Sequence, residues 1–381
     1  MSPSKNLLYA LTMVFTPINL TAFAVTLLAS LALVLTQRWH GRFSLDGVVG
    51  VQKMHTQPTP RIGGVALVLG LLAVYHQAAI DVQALLGPML LAGIPAFAAG
   101  LLEDITKKVG VLPRLLATMA SGVLAWYLTG VAMQNTGVTI FDLLLGFTPV
   151  AVLFTAFAVA GIANAVNIID GFNGLASGTV AIMLGAMGLI SLQLNDTALA
   201  TLCFAIAAVA AGFGAINWPF GKLFLGDGGA YLLGFLVGWV AILLPMRHPQ
   251  INAWATLLVC AYPVLEVMFS VLRRRKREGH HPGQPDKAHL HHFIHRRLVQ
   301  RLVGRASTPL RNGMTSPYCW LYAALPASWA VVFAQNTPML MLGLVLATFV
   351  YSAIYARLTQ FGWCIRALTM RPPARTADSH L

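Results

Sequence analysis

What most restricts this chain is a series of long apolar runs with almost no charge inside them. A helix needs roughly 20 apolar residues to cross a hydrocarbon core about 30 Å thick. Eleven runs of that kind follow one another, near residues 15–35, 63–79, 85–102, 113–132, 147–163, 175–192, 197–216, 229–245, 253–272, 318–335 and 338–356. The composition agrees: 57% of residues are hydrophobic, 10% are charged and the mean hydropathy is +0.72, outside the range of water-soluble domains. The expected fold is an all-α integral membrane protein of about 11 transmembrane helices.

Charge gives the orientation. If the N-terminus lies outside, the segments on the inner side hold 23 of the 25 Lys and Arg residues, leaving only Lys5 and Arg247 opposite. The positive-inside rule then predicts a periplasmic N-terminus and a cytoplasmic C-terminus. The net charge of +13 is an orientation signal first, since no recognition motif accompanies it to suggest nucleic acid. The first run is read as a retained span, because Lys5 is the only basic residue before it and no small-residue cleavage site follows. Cys203, Cys260, Cys319 and Cys364 are too scattered for a disulfide framework or a thiolate zinc site.

The domain expected is one polytopic unit, residues 1–356, with a basic loop at 273–317 inside it and a basic tail at 357–381. The loop is too short and too basic to bury its own core. On this topology the polar clusters share the cytoplasmic side: "KMHTQPTPRIGG" (53–64), "LLEDITKK" (101–108), "NAVNIIDGFNG" (164–174), "INWPFGKLFLGDGG" (216–229) and "PDKAHLHHFIHRR" (285–297). A transporter would be expected to carry ionisable groups near mid-membrane as well, and here Glu266 is the exception in otherwise uncharged spans.

Four acids, Glu103, Asp104, Asp170 and Asp227, gather on that face, each at the end of an apolar run. Clustered carboxylates need a cation or a proton, and a hard divalent ion such as Mg²⁺ takes one or two carboxylates plus substrate phosphates. Pairing with Lys107, Lys108 or Lys222 is the plainer alternative. Asn164, Asn167 and Asp170 recur at i, i+3 and i+6, which places them on one helix face with donors and acceptors suited to a sugar, a base edge or a diphosphate. Gly226, Gly228 and Gly229 around Asp227 permit close backbone approach to a ligand or simply a tight turn. His289, His291, His292 and His295 have spacings that zinc could use, but no cysteine accompanies them and Arg296, Arg297 and Arg301 repel a cation, so phosphate fits better. Leu290, Phe293, Ile294, Leu298 and Leu302 between them predict a basic amphipathic helix lying on the inner leaflet.

Together these five motifs, in this order from Lys53 to Arg297, resemble the polyprenyl-phosphate N-acetylhexosamine-1-phosphate transferases, glycosyltransferase family 4. "PTPRIGG" and "DGFNGLA" are similar to the branch that initiates O-antigen, common antigen or teichoic acid linkage units; the peptidoglycan branch typically has "PTMGG" and "DGLDGLA", so Asn173 stands where that branch has aspartate. The resemblance implies an enzyme of the bacterial inner membrane. Its reaction would move a sugar 1-phosphate from a UDP-N-acetylhexosamine, N-acetylglucosamine by default, to undecaprenyl phosphate, releasing UMP. The implied partners are these two substrates and the lipid bilayer, with no nucleic acid and with a homodimer left open; Mg²⁺ is the implied cofactor and Mn²⁺ an alternative.

The resemblance also implies roles. Asp227 matches the Mg²⁺ ligand and Glu103 and Asp104 the paired acids, of which Asp104 would share the metal. Asn164, Asn167 and Asp170 match the nucleotide and metal site, Phe224 the aromatic that stacks on uracil, and Asn217 a polar position nearby. Lys53, His289, His291, His292 and Arg296 would meet phosphate oxygens. Glu103 departs from the usual aspartate by one methylene, which suits a proton acceptor better than a covalent nucleophile. The expected mechanism is direct attack by the lipid phosphate, with Asp104 or Glu103 taking a proton. A peptidoglycan-type transferase, a transporter and a non-catalytic assembly protein are the rival readings.

Overall fold

A computed structural model describes residues 12–13, 15–46, 58–275 and 288–360. The chain is built almost entirely of helices, α1 Pro17–Leu35, α2 Gln37–Ser44, α3 Gly63–Gln77, α4 Ile80–Ala92, α5 Ile94–Thr106, α6 Val111–Thr129, α7 Thr139–Leu145, α8 Thr148–Ile169, α9 Leu175–Gln193, α10 Thr197–Asn217, α11 Gly226–Arg247, α12 Ala253–Val259, α13 Ala261–Arg275, α14 Leu290–Ile294, α15 Gln300–Leu302, α16 Thr308–Gly313, α17 Ser316–Val332 and α18 Thr337–Thr359, with a π-helical turn His295–Val299 between α14 and α15. Among the described residues one two-stranded antiparallel ribbon, β1 Leu45–Asp46 against β2 Thr59–Pro60, pairs Leu45 with Pro60 and Asp46 with Thr59.

All eleven apolar runs fall on helices. Among the described residues seven helices are long and apolar enough to cross a membrane, or up to nine spans if two bent pairs each count once. The other two runs are α3 and α17, of 15 and 17 residues. At about 1.5 Å per residue these reach only about 22 and 25 Å. Among the described residues length and composition thus support seven to nine spans, and α3 and α17 are the two of the eleven runs that fall short of that length.

The centre of the molecule is α11. It is apolar all round rather than on one stripe, and every residue from Gly226 to Pro245 is buried, as a helix with no polar face must be. Small residues let α8 come against it: a Cβ on Gly234 would stand 2.5 Å from Ala163 Cα, and one on Gly238 3.2 Å from Val159 Cα. The outer helices keep large apolar side chains exposed, Leu153 and Phe157 on α8, Leu321 on α17 and Phe349 on α18 among them, as a lipid-facing surface requires.

The two bends have local causes. The pair α4 and α5 bends by 46° at Gly93, where Pro95 withholds an N–H from the Leu91 carbonyl; α12 and α13 bend by 80° at Cys260, where Pro263 does the same to Val259. The first bend aims the end of α5 at the start of α11. The second turns α13 so that Val267, Ser270, Val271 and Arg274 border the inner cavity described next. Cys203, Cys260 and Cys319 are buried free thiols, and Cys364 and the tail from 361 lie outside the described residues.

Replacing Gly234 with leucine is expected to wedge α11 from α8 and cost about 1–3 kcal/mol of overpacking. Thermal unfolding of the purified protein in detergent checks this, with Leu153→Ala, 63% exposed, as a control that should leave the midpoint unchanged.

Candidate functional site

The site begins with a capped helix. The first N–H groups of α11 have no partner inside the helix. Asp104, at the end of α5 and 1% exposed, supplies one: its two carboxylate oxygens accept from the backbone N–H of Asp227 and of Gly228, each at 2.8 Å. A buried carboxylate needs such bonds and a counter-charge. Arg61 provides the charge, with Nε 3.1 Å from Asp104 Oδ1. The glycine before Asp227 is required by this geometry. Gly226 has φ +75°, and a Cβ there would fall 2.5 Å from Asp104 Oδ2.

Arg61 is delivered by the ribbon. Its own N–H donates to Ser44 O (2.8 Å), Phe224 N to Pro60 O (2.8 Å), Gly63 N to Phe224 O (3.0 Å) and Gly64 N to Leu225 O (3.1 Å). "PTPRIGG" is thereby laced to the segment that enters α11, and the Arg61 Nη2 donates to Asp227 Oδ1 at 2.6 Å. Arg114, in the first turn of α6, pairs with Asp227 Oδ2, and Asn167 Nδ2 donates to Oδ1 at 3.2 Å.

These groups border a cavity of about 620 Å³, within the range of small-molecule sites. Its wall includes Arg61, Glu103, Arg114, Asn164, Asn167, Asp170, Asn173, Asn217, Phe224, Asp227, Tyr231, Arg274, His289, His291, His292 and Asn312. Glu103 shares the wall while its Oε2 accepts from Val109 N at 2.7 Å. Burial pushes the Asp170 carboxyl well above the usual carboxylate range, against the opposing pull of Arg61.

Most of the residues singled out in the sequence are brought together. Asp104 is not on the wall: its oxygens face the α11 amides and Arg61, so it holds the wall from behind. Asn217 reaches the wall but is tied to the chain, Oδ1 accepting from Gly174 N and Nδ2 donating to Leu223 O at 2.7 Å. Arg296 stays off the wall, its Nε donating to His292 O at 3.3 Å and its guanidinium 5.0 Å from the Phe293 ring. Lys53 lies outside the described residues. Two arginines on the wall, Arg61 and Arg114, are not among the residues singled out in the sequence. For Arg61 the available signal was its place in "PTPRIGG"; Arg114, at the start of an apolar run and outside the five motifs, carried none.

The histidine segment departs from the surface helix expected. Leu290, Ile294 and Val299 are buried, and so are His289, His291, His292 and His295. The segment packs into the bundle instead of lying on it, with Phe172 of the "DGFNG" turn against the His291, His292 and His295 rings at 5.5, 5.3 and 5.2 Å. Helical periodicity gives two faces but not whether the second meets water or protein.

Asn173 explains its own side chain. Its Nδ2 donates to Pro219 O at 2.9 Å, its N–H donates to Asn312 Oδ1 at 2.7 Å, and its carbonyl accepts from Ser316 Oγ at 2.6 Å. An aspartate carboxylate has no donor for Pro219 O.

A family model described as Glycosyl transferase family 4 matches residues 86–245, from α4 to the end of α11. The chain is 27% identical over 360 residues to the undecaprenyl-phosphate alpha-N-acetylglucosaminyl 1-phosphate transferase of Escherichia coli (strain K12), covering 90% of this chain and 89% of that one. It is 29% identical over 255 residues to the protein of the same description from Yersinia pestis, 64% of this chain and 68% of that one. It is also 29% identical over 332 residues to the decaprenyl-phosphate N-acetylglucosaminephosphotransferase of Mycobacterium leprae (strain TN), 77% and 79%.

Asn173→Asp is expected to destabilise the protein by about 1–3 kcal/mol, because Pro219 O loses its donor and faces a carboxylate. A lower thermal midpoint than wild type is the readout, and an unchanged midpoint would show that the amide donor is dispensable. A pH effect is expected at the histidine wall. Burial, reinforced by His292 and His289, holds the His291 imidazole well below the usual value of 6.5. The unfolded segment therefore takes up a proton that the folded one refuses, so the segment's stability is complete above pH 6.5 and declines as pH falls below it. Hydrogen exchange over residues 288–303, corrected for intrinsic rates, should show less protection at pH 5 than at pH 7.5.

Proposed function

We propose that the chain is a member of glycosyl transferase family 4 and that it transfers N-acetylglucosamine 1-phosphate from a UDP-linked donor to undecaprenyl phosphate, releasing UMP. The observation that carries this reading is the wall on which Asp227, Arg61, Arg114, asparagine amides, Phe224 and histidines meet at the ends of membrane helices. Cations neutralise a diphosphate, amides and an aromatic ring recognise a nucleoside, and the membrane boundary gives access to a lipid headgroup. We place this face in the cytoplasm and the protein in the bacterial inner membrane, on the positive-inside asymmetry, with the product feeding cell-envelope polysaccharide synthesis.

The donor set fits a hard divalent ion such as Mg²⁺ or Mn²⁺. Asp227, Glu103, Asp170 and Asn167 offer oxygen, and Asp227 already draws two guanidinium groups, as a metal-binding carboxylate would draw a cation. Among the described residues no three His, Cys, Asp or Glu side chains form a ready cage. This suits Mg²⁺, which takes one or two carboxylates and completes its shell with substrate phosphates and water. Once bound, the ion would supply charge neutralisation on the diphosphate.

The chain's own groups account for the rest. An oxygen of the lipid phosphate attacks the phosphorus that bears the sugar, a new P–O bond forms, and the bond to UMP breaks with its electron pair leaving on UMP. Arg61 and Arg114 meet the phosphate charge. Glu103, the member of the acid pair on the wall, accepts the proton of a monoprotonated lipid phosphate, while Asp104 keeps Asp227 in place. Phe224 and the asparagines hold the nucleoside. The peptidoglycan reaction is disfavoured by Asn173, whose amide serves as a donor in this fold.

The test is a transfer assay on purified protein with undecaprenyl phosphate and labelled UDP-N-acetylhexosamines, in Mg²⁺, Mn²⁺ or chelator. Labelled lipid should form with metal only, and Asp227→Asn should lower the rate by about 100-fold or more while the protein still purifies folded. Transfer that survives chelator and this substitution, or a phosphorylated Glu103 trapped during turnover, would refute the mechanism.

A further inference from the structure

Glu266 is a carboxylate on α13 that is 1% exposed, and no step of the transfer uses it. An ionisable group inside a membrane helix marks function more often than packing, since burying it is costly without a partner. Its partners lie on the cavity wall. Oε1 accepts from His289 Nδ1 at 3.0 Å and from Leu290 N at 2.9 Å, and Oε2 stands 3.8 Å from His291 Nδ1. The other titratable groups around it are Tyr262 of α13, Cys319 and Tyr322 of α17 and Tyr351 of α18. Phenols and a thiol carry no positive charge, so His289 and His291 are the basic groups that meet this carboxylate.

The three histidine rings form one unit. His289 stacks on His291 with centroids 5.3 Å apart and planes 8° apart, and His291 lies 4.7 Å from His292. All three border the cavity. A carboxylate can only accept, so the proton of the His289–Glu266 bond sits on Nδ1 and Nε2 is left on the opposite edge of the ring. The second bond, to Leu290 N, pins the start of α14 to the same carboxylate. The 80° bend before α13 is what brings Glu266 under this segment.

We propose that Glu266 is a positioning residue: by fixing the tautomer and orientation of His289 and the start of α14, it aims the histidine wall at a substrate phosphate. This rests on the transferase reading for the identity of that phosphate, which belongs either to the lipid or to the donor diphosphate. The carboxylate acts at one remove, as carboxylates behind metal-bound histidines do.

The experiment uses the full chain in nanodiscs with histidine side chains labelled with ¹⁵N, as wild type, Glu266→Gln, Glu266→Asp and His289→Ala, the last to assign the His289 signals. Glutamine keeps the shape but can offer an amide N–H, which lets His289 move its proton to Nε2. The expected result is a changed His289 tautomer in Glu266→Gln and a kcat lower by about 10- to 100-fold, with partial recovery in Glu266→Asp. A rise in KM for undecaprenyl phosphate alone would assign the wall to the lipid phosphate, and a rise for the UDP-sugar alone to the diphosphate. A carboxylate with only a structural role would lower the thermal midpoint yet leave the tautomer and kcat of the folded protein as in wild type, and that result overturns the proposal. If the wild type transfers nothing with any donor while Glu266→Gln still shifts the His289 nitrogen signals, the positioning role stands and the transferase reading falls.

Discussion

The site depends on one buried carboxylate. Asp104 accepts the amides of Asp227 and Gly228 and draws Arg61 against itself, so three distant parts of the chain are fixed by a single side chain. The arrangement is stable because each group answers a deficit in another. A helix start has unpaired N–H groups and a partial positive charge, a buried carboxylate needs donors, and a guanidinium needs an anion. The consequence is that Asp227 projects from the most buried helix in the molecule with its carboxylate turned to the cavity.

This brace also separates the two acids of the "ED" pair. Adjacent residues on a helix point about 100° apart, so when Asp104 turns to α11 its neighbour Glu103 turns to the cavity wall. There one of its oxygens is steadied by Val109 N. A similar division of labour holds on the other side of the cavity. Glu266 sits behind the histidines as Asp104 sits behind Asp227, and in both cases a carboxylate away from the ligand space orients groups that face it.

Rigid helices and polar turns play distinct parts. The α8–α11 contact is close-packed through Gly234 and Gly238, which gives the wall a fixed frame. The "DGFNG" turn is held by side-chain bonds from Asn217, Asn312 and Ser316, so a loop rich in polar atoms keeps one shape beside the membrane. Precise placement of the groups on that wall needs both, since a loop alone would lose the geometry.

Much was legible in the sequence. The apolar runs gave the helices because twenty residues without charge have few other places to go, and the acids, asparagines and histidines stood out because polar residues beside such runs are expensive. What the sequence could not give was distance and direction. It could not show that α3 and α17 are short of a full span, that Asp104 faces a helix start while Glu103 faces the cavity, or that the histidine segment packs inward. It did not single out Arg61 or Arg114, although both end up on Asp227. Composition and periodicity are local properties and are fixed by the chain alone, whereas pairing between residues 61, 104, 114 and 227 exists only once the helices have packed and the two bends have set their directions.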